Sequence, residues 1–502
     1  MGTRVALSLI SHTNAGKTTL ARTLLGRDVG EVRDEAHVTQ ESESWPLVDT
    51  PEGDALVLWD TPGFGDSARL AKRLAQQGNP IGWFLTQVWD RFRDRTFWLT
   101  QKAVGNVRDE ADVVLYLVNA SEEPADAGYL APELSVLEWL GKPVIVLLNQ
   151  TGPPRPHEEE AADEARWRSA LGHRGFVHAV LALDAFARCW VQEVELLRVV
   201  GDSVRDEKRD GYARLVAAWQ ARREAQFAQS MSVLAGSIAA AAVDRELVPE
   251  AGLKGTLREL GRSIGLARDE GEDAKARAAE ALASRLDAQV RDSLDRLIAI
   301  HELSGRASDD VRARLAQRVK VDQPVSEGKA AMMGGVVSGA LSGLAADLAA
   351  GGFTFGAGML AGAVLGALGG AGLARGVNLA RGKGGASVRW DEAFLDALVA
   401  SALLRYLAVA HYGRGRGDWA ESEYPPHWPP EAELVVASHR VELAHVWSMR
   451  GDAGDANALA AALDPVLTSM ARQLLAALYP GKLGSDPSSV NWGQTPFAAS
   501  EV

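Results

Sequence analysis

The chain has a single cysteine, Cys189, in 502 residues, which excludes an internal disulfide framework and fits a reducing compartment. It also lacks a surplus of basic residues: 53 Lys and Arg stand against 66 Asp and Glu, a net charge of -13. General nucleic-acid binding needs a basic surface, so that class is set aside, although a local basic patch is not excluded. Proline is almost missing between residues 190 and 320, where Pro249 stands alone. The apolar run Val5–Ile10 is too short for a signal-peptide core, and Ala6 breaks a myristoylation motif. The first residues are therefore expected to be structure rather than a targeting segment. With 47% hydrophobic residues the chain can bury real cores without a metal or disulfide staple. At about 150 residues per domain its length suggests three domains.

Val5–Ile10 reads as a short buried strand. It leads into Ser11-His12-Thr13-Asn14-Ala15-Gly16-Lys17-Thr18, and then into helical spacing from Thr19. Strand, Gly-Lys-Thr loop and helix form the context of a phosphate-binding loop. Backbone N–H groups at a helix N-terminus receive phosphate oxygens. Here Asn14, Ala15, Gly16, Lys17, Thr18 and Thr19 would line the phosphates, with Lys17 as the cation and the Thr18 hydroxyl a ligand of Mg²⁺. Ser11 stands where the consensus has its first glycine, which weakens the motif without removing it. A second strand, Ala55–Trp59, ends in Asp60-Thr61-Pro62-Gly63. Asp60 could hold Mg²⁺ through water, and the Gly63 N–H could approach a γ-phosphate. Further buried strands are expected at 112–119, 143–149 and 176–181. The predicted fold is an α/β P-loop domain, with a mostly parallel sheet and helices on both faces, followed by a largely α-helical region.

On the Gly-Lys-Thr and Asp-Thr-Pro-Gly motifs, residues 4–190 resemble the Era/MnmE-like branch of the translation-factor-related GTPases. The resemblance implies binding of GTP and GDP with Mg²⁺. It also implies a switch I threonine that closes on Mg²⁺ and the γ-phosphate, for which Thr39 is the best placed candidate and Thr50 and Thr23 are poorer ones. Asn14 occupies the position of the asparagine that binds K⁺ in potassium-activated members; it equally suits a residue that only shapes the loop. Phe64 stands where Ras-like GTPases carry a water-orienting glutamine. Phe cannot hydrogen-bond water, so intrinsic hydrolysis is expected to be slow, or to depend on K⁺, G-domain dimerisation or a partner. Asn149-Gln150-Thr151-Gly152 keeps only the asparagine of the family's Asn-Lys-x-Asp base motif. Asn149 and Gln150 are the candidate base contacts, and without the aspartate guanine selectivity is weakened. Asp184 offers two readings, a substitute carboxylate or a surface-loop or capping residue.

Residues 82–98 concentrate six aromatics, with Arg91, Arg93 and Arg95 among them. They suit either a helix packing on the domain or a switch II extension. Residues 190–320 read as helices broken near Pro249–Gly252 and Ser304–Asp309. Composition then changes: the 45 residues 330–374 hold 13 of the 50 glycines, and Asp347 is their only charge. Gly335, Gly339 and Gly343 are spaced by four, as are Gly358, Gly362, Gly366 and Gly370, which places each series on one helix face. Three readings stand: a membrane-inserted or membrane-docking hairpin, a buried soluble hairpin, and a hinge. The basic flanks Lys329, Arg375, Arg381 and Lys383 suit cytoplasmic ends. Further on, Arg414 and Arg416 suit a phosphate or a structural carboxylate, while His411, His427, His439 and His445 lack metal-ligand spacing. The layout resembles bacterial proteins joining an Era-like GTPase domain to an uncharacterised C-terminal region with a glycine-rich apolar segment. The expected parts are a G domain at 1–190, a helical domain at 191–328, a glycine-zipper hairpin at 329–383 and a C-terminal helical part at 384–502. A cytoplasmic G domain at the cytoplasmic membrane, with a membrane or membrane-protein partner, is the matching expectation.

Overall fold

The computed structural model describes residues 2–12, 15–26, 43–61, 63–64, 67–75, 97, 104–105, 107–152, 154–171, 174–185, 189–248, 270–303, 377–382, 385–412, 425–451 and 454–482. Asn14, Thr39, Arg414, Arg416, the glycine-rich segment 330–374 and all of 82–98 except Phe97 lie outside them.

Six strands form the N-terminal sheet: β1 (Arg4–Ser11), β2 (Glu43–Asp49), β3 (Ala55–Asp60), β4 (Val113–Asn119), β5 (Val144–Asn149) and β6 (Val177–Ala182). Their order is β2-β3-β1-β4-β5-β6, parallel throughout except for β2, which runs antiparallel to β3. The parallel strands read as continuous apolar runs because both faces are covered. Leu7, Leu9, Leu115, Leu117 and Leu147 enter one core, whereas Ile10, Val114, Tyr116, Val118 and Val146 enter the other. On the first face lie α1 (Lys17–Leu25) and α5 (Trp190–Ser203). On the second lie α2 (Ser67–Ala75), α3 (Leu130–Leu140) and α4 (His157–Leu171). The strand β2 had no clear sequence signal: Pro46 interrupts ESWPLVD, and the pairing register shifts between Pro46 and Val48. Proline is tolerated there because β2 is an edge strand.

The first core does not stop at the G domain. It continues into α6 (Arg209–Val243), α7 (Glu270–Ile300), α8 (Glu392–Ala410), α9 (Trp428–Ser438), α10 (Arg440–Ser448) and α11 (Ala456–Leu478). The helix α5 begins at Trp190 and buries residues against both parts: the Trp190 indole donates to the Tyr406 hydroxyl of α8 at 3.1 Å. The long α6 runs back along the β2–β3 edge, where Arg214 forks onto Asp54 at 2.7 and 3.0 Å. Nearby, Lys208 reaches both oxygens of Asp112 at 2.7 Å.

The helical region also carries an antiparallel sheet, β7 (Arg245–Val248), β9 (Gly385–Trp390) and β8 (Val377–Gly382), in the order β7-β9-β8. The C-terminal region is largely helical, as expected, and this small sheet is an addition to that reading. Four-residue β7 pairs with a strand far along the chain, so no local pattern marks it. The apolar stretch expected as a helix from Phe394 is α8, capped by Asp391, which accepts from the Phe394 N–H at 2.8 Å. Two described helical stretches, Asp206–Val243 and Glu392–Ala410, are long and apolar enough to cross a membrane, but 56% and 61% of their apolar windows are buried inside the protein. That is the composition of core helices.

Candidate functional site

Where β1 ends, Gly16 adopts a left-handed conformation at φ +87° and leads directly into α1, with the Leu20 N–H donating to the Gly16 carbonyl at 2.9 Å. Only glycine takes this conformation without strain. A Cβ at Gly16 would also lie 2.6 Å from Asn149 Nδ2, so the turn is closed by steric contact as well as by φ. Lys17, the first residue of α1, is buried, and its Nζ donates to the Ser11 hydroxyl at 3.1 Å. Ser11 is not among the described residues with positive φ, so the missing first glycine removes no conformation the loop needs. The serine hydroxyl in turn donates to the His12 carbonyl. Burial pushes the Lys17 ammonium below its ordinary range, while the carboxylates of Asp60 and Glu133 act in the opposite sense.

The β1–β3 register sets Leu9 opposite Asp60, bringing the two strand ends level. As a result Thr18 Oγ1 donates to Asp60 Oδ2 at 2.5 Å, and the Thr61 hydroxyl donates to the Leu9 carbonyl at 2.6 Å. Gly63 is buried beside them, and the Phe64 N–H donates to the Ser11 carbonyl at 3.0 Å. The structure brings Gly16, Lys17, Thr18, Asp60 and Gly63 together at one end of the parallel sheet. A threonine hydroxyl and an aspartate carboxylate in contact, both buried, form the hard-oxygen donor set that Mg²⁺ takes. The Phe64 ring is fully buried in the second core.

On the other side of the loop, Asn149 ends β5 and is fully buried. Its amide donates to the Ala15 carbonyl at 2.7 Å and its carbonyl accepts from the Ala185 N–H at 2.8 Å. Asn149 therefore ties the phosphate loop to the loop after β6, a role the motif comparison had not assigned. Gln150 and Gly152 take left-handed conformations, at φ 61° and 85°. Asp184 is neither on the surface nor at a helix cap: it is buried, and its Oδ2 accepts from the Thr151 N–H at 2.6 Å and from the Thr151 hydroxyl at 3.0 Å. A carboxylate thus stands beside the turn from which the aspartate at 152 is missing.

The sequence reading also missed a polar cluster beneath the loop. His12 Nδ1 lies 2.8 Å from Glu133 Oε1, the His12 ring stacks on Tyr129 with centroids 4.4 Å apart, and the Tyr116 hydroxyl donates to Glu133 Oε2 at 2.7 Å. Burial raises the Glu133 carboxyl above its usual range, against the His12 and Tyr116 hydrogen bonds. One signal was available: Glu133 falls on the stripe Leu130, Leu134, Leu137 of an otherwise apolar helix face.

A six-stranded sheet with Gly-Lys-Thr after β1 and Asp-Thr-Pro-Gly after β3 defines a P-loop GTPase domain. Residues 6–150 accordingly match the family described as 50S ribosome-binding GTPase. Residues 168–449, more than half of the chain, match the family described as domain of unknown function DUF3482, and the chain belongs to that family. Among solved structures, the chain is similar to Era of Aquifex aeolicus bound to GDP.AlF4- (17% identity, TM-score 0.30, covering 41% of this chain). It spans 58% of that Era chain. It is also similar to a probable GTP-binding protein engB (14% identity, TM-score 0.25, covering 40% of this chain and 99% of that one). A third likeness is to the cytosolic domain of the T. maritima FeoB iron transporter in GMPPNP form (16% identity, TM-score 0.23, covering 40% and 65%). No curated protein matches the chain.

Proposed function

We propose that the protein is a nucleotide switch that binds GTP with Mg²⁺, hydrolyses it slowly, and couples the state of the G domain to the helical region. The observation that carries this reading is the convergence of Lys17, Thr18, Asp60 and Gly63 around the left-handed Gly16, at one end of the parallel sheet. In this reading the loop N–H groups and Lys17 hold the phosphates. Thr18 and Asp60 are the residues for Mg²⁺, which when bound neutralises charge on the β- and γ-phosphates. Thr39 serves as the switch I threonine, Asn14 as the residue that confers K⁺ stimulation, and Asn149 and Gln150 border the base. The output is docking at a membrane or a membrane-protein partner through the glycine-rich segment 330–374, with the G domain in the cytoplasm.

A second reading, a nucleotide-binding scaffold with little turnover, is favoured by one observation. Phe64 is fully buried, so the switch II side chain offers no hydrogen bond to water. Phosphate release by the full-length protein, measured with GTP in Na⁺ or K⁺ and with or without anionic lipid vesicles, separates the two. The switch reading expects release that K⁺ or vesicles raise. No release under any of these conditions leaves the scaffold.

A further inference from the structure

With Phe64 turned into the core, hydrolysis needs another group to hold the attacking water. His12 stands next to Ser11, which meets both Lys17 and Phe64. The residue before it, Ser11, accepts from Lys17 through its hydroxyl at 3.1 Å and from the Phe64 N–H through its carbonyl at 3.0 Å. His12 therefore follows the point where the phosphate-loop lysine meets the start of switch II.

The imidazole is held from two sides. Its face stacks on Tyr129 at an interplanar angle of 11°, and Nδ1 meets Glu133 at 2.8 Å. Glu133 has 0% exposure, and its other oxygen is fixed by the Tyr116 hydroxyl at 2.7 Å. A fully buried carboxylate is costly unless its partners compensate, and here they are an imidazole and a phenol, with the Lys17 charge acting on the same group. In the tautomer that donates Nδ1–H to Glu133, Nε2 is the acceptor. The His12 side chain is 38% exposed, so water reaches it.

We propose that His12 orients the attacking water through Nε2 and that Glu133 is the residue that positions His12. The assignment rests on the GTPase reading above. In the step, the water oxygen bonds to the γ-phosphorus as the bond to the β–γ bridging oxygen breaks, and that electron pair leaves on GDP. One water proton passes to His12 Nε2 and the other stays on the phosphate, while the Glu133 carboxylate stabilises the imidazolium.

The test compares His12→Phe, His12→Gln and Glu133→Gln in the full-length protein. It measures single-turnover GTP hydrolysis, and calorimetric affinity for GDP and a non-hydrolysable GTP analogue. His12→Phe keeps an aromatic ring against Tyr129 and should lower hydrolysis about 100-fold or more, with affinity unchanged within about threefold. His12→Gln, which still hydrogen-bonds water, should recover part of the loss. Glu133→Gln should lower the rate about tenfold, again at unchanged affinity. Wild-type hydrolysis in His12→Phe, or a loss of affinity equal to its loss of rate, would assign the pair to loop architecture and overturn the proposal alone. A wild-type protein that binds GTP and releases no phosphate would overturn the GTPase reading together with it.

Discussion

At the scale of single residues, Gly16 and Asn149 act as a pair. The left-handed turn leaves no room for a side chain, and the neighbour a Cβ would meet is the amide that holds the Ala15 carbonyl. Gly16→Ala should therefore carry a left-handed strain of about 1–2 kcal/mol and displace Asn149, loosening two loops at once. Thermal unfolding and GDP calorimetry check this: a modest drop in Tm with GDP binding abolished is expected, and retained binding would contradict it. His301 gives a pH signature. Burial, with Arg223 and His411 nearby, lowers its imidazole to about 3. The unfolded chain takes up the proton near pH 6.5, so stability is expected to fall as the pH drops from about 6.5 towards 3. His301→Gln should flatten that part of a urea-midpoint profile; an unchanged slope would assign the loss to other groups. Much at this scale was legible in the sequence, because Gly16, Lys17, Thr18 and Asp60 lie in short contiguous motifs. The His12–Glu133 pair was not, since its partners are 121 residues apart and meet only through the β4–α3 fold.

At the scale of elements, the β2–β3 edge is tied to α6 by the Asp54–Arg214 fork. The Arg214 hydrogen bonds and the Thr3 N–H hold the Asp54 carboxyl far below its usual range. A depressed carboxylate contributes stability above its unfolded value, about 3.9, and loses that contribution as the pH falls through the folded one. Asp54→Asn should therefore be less stable than wild type at pH 7, with the gap between their urea midpoints narrowing in acid. A gap independent of pH would contradict the assignment. The parallel strands were legible because each is a continuous apolar run bounded by polar loops. The edge strand β2 and the β7-β9-β8 sheet were not, because proline interrupts one and the other joins segments distant in sequence.

At the scale of the whole molecule, one hydrophobic core joins the sheet to the helical region. Trp190, Leu196, Leu197 and Val200 of α5 share it with Trp219, Leu234, Leu403 and Leu474. Beside them, Lys482 reaches Glu195 at 2.9 Å and Arg223 reaches Glu193 at 2.9 Å. Linear motifs suggested a G domain ending at 190; burial shows that its α5 side is completed by residues far beyond. The full-length protein should therefore lose G-domain and helical structure in one cooperative transition followed by circular dichroism and tryptophan fluorescence, and two separated transitions would contradict the shared core. In the switch proposed above, this core would be the route by which nucleotide-dependent changes in the G domain reach the helices.

We propose the loop from Ser11 to Thr18 as the guanine-nucleotide site. Calorimetric titration of the full-length protein with GDP, a GTP analogue and ATP in Mg²⁺, repeated on Lys17→Ala, tests it most directly. Saturable binding of both guanine nucleotides, weaker binding of ATP and no binding to Lys17→Ala is the predicted result. Absence of guanine-nucleotide binding to the wild type, or equal binding by Lys17→Ala, would contradict it.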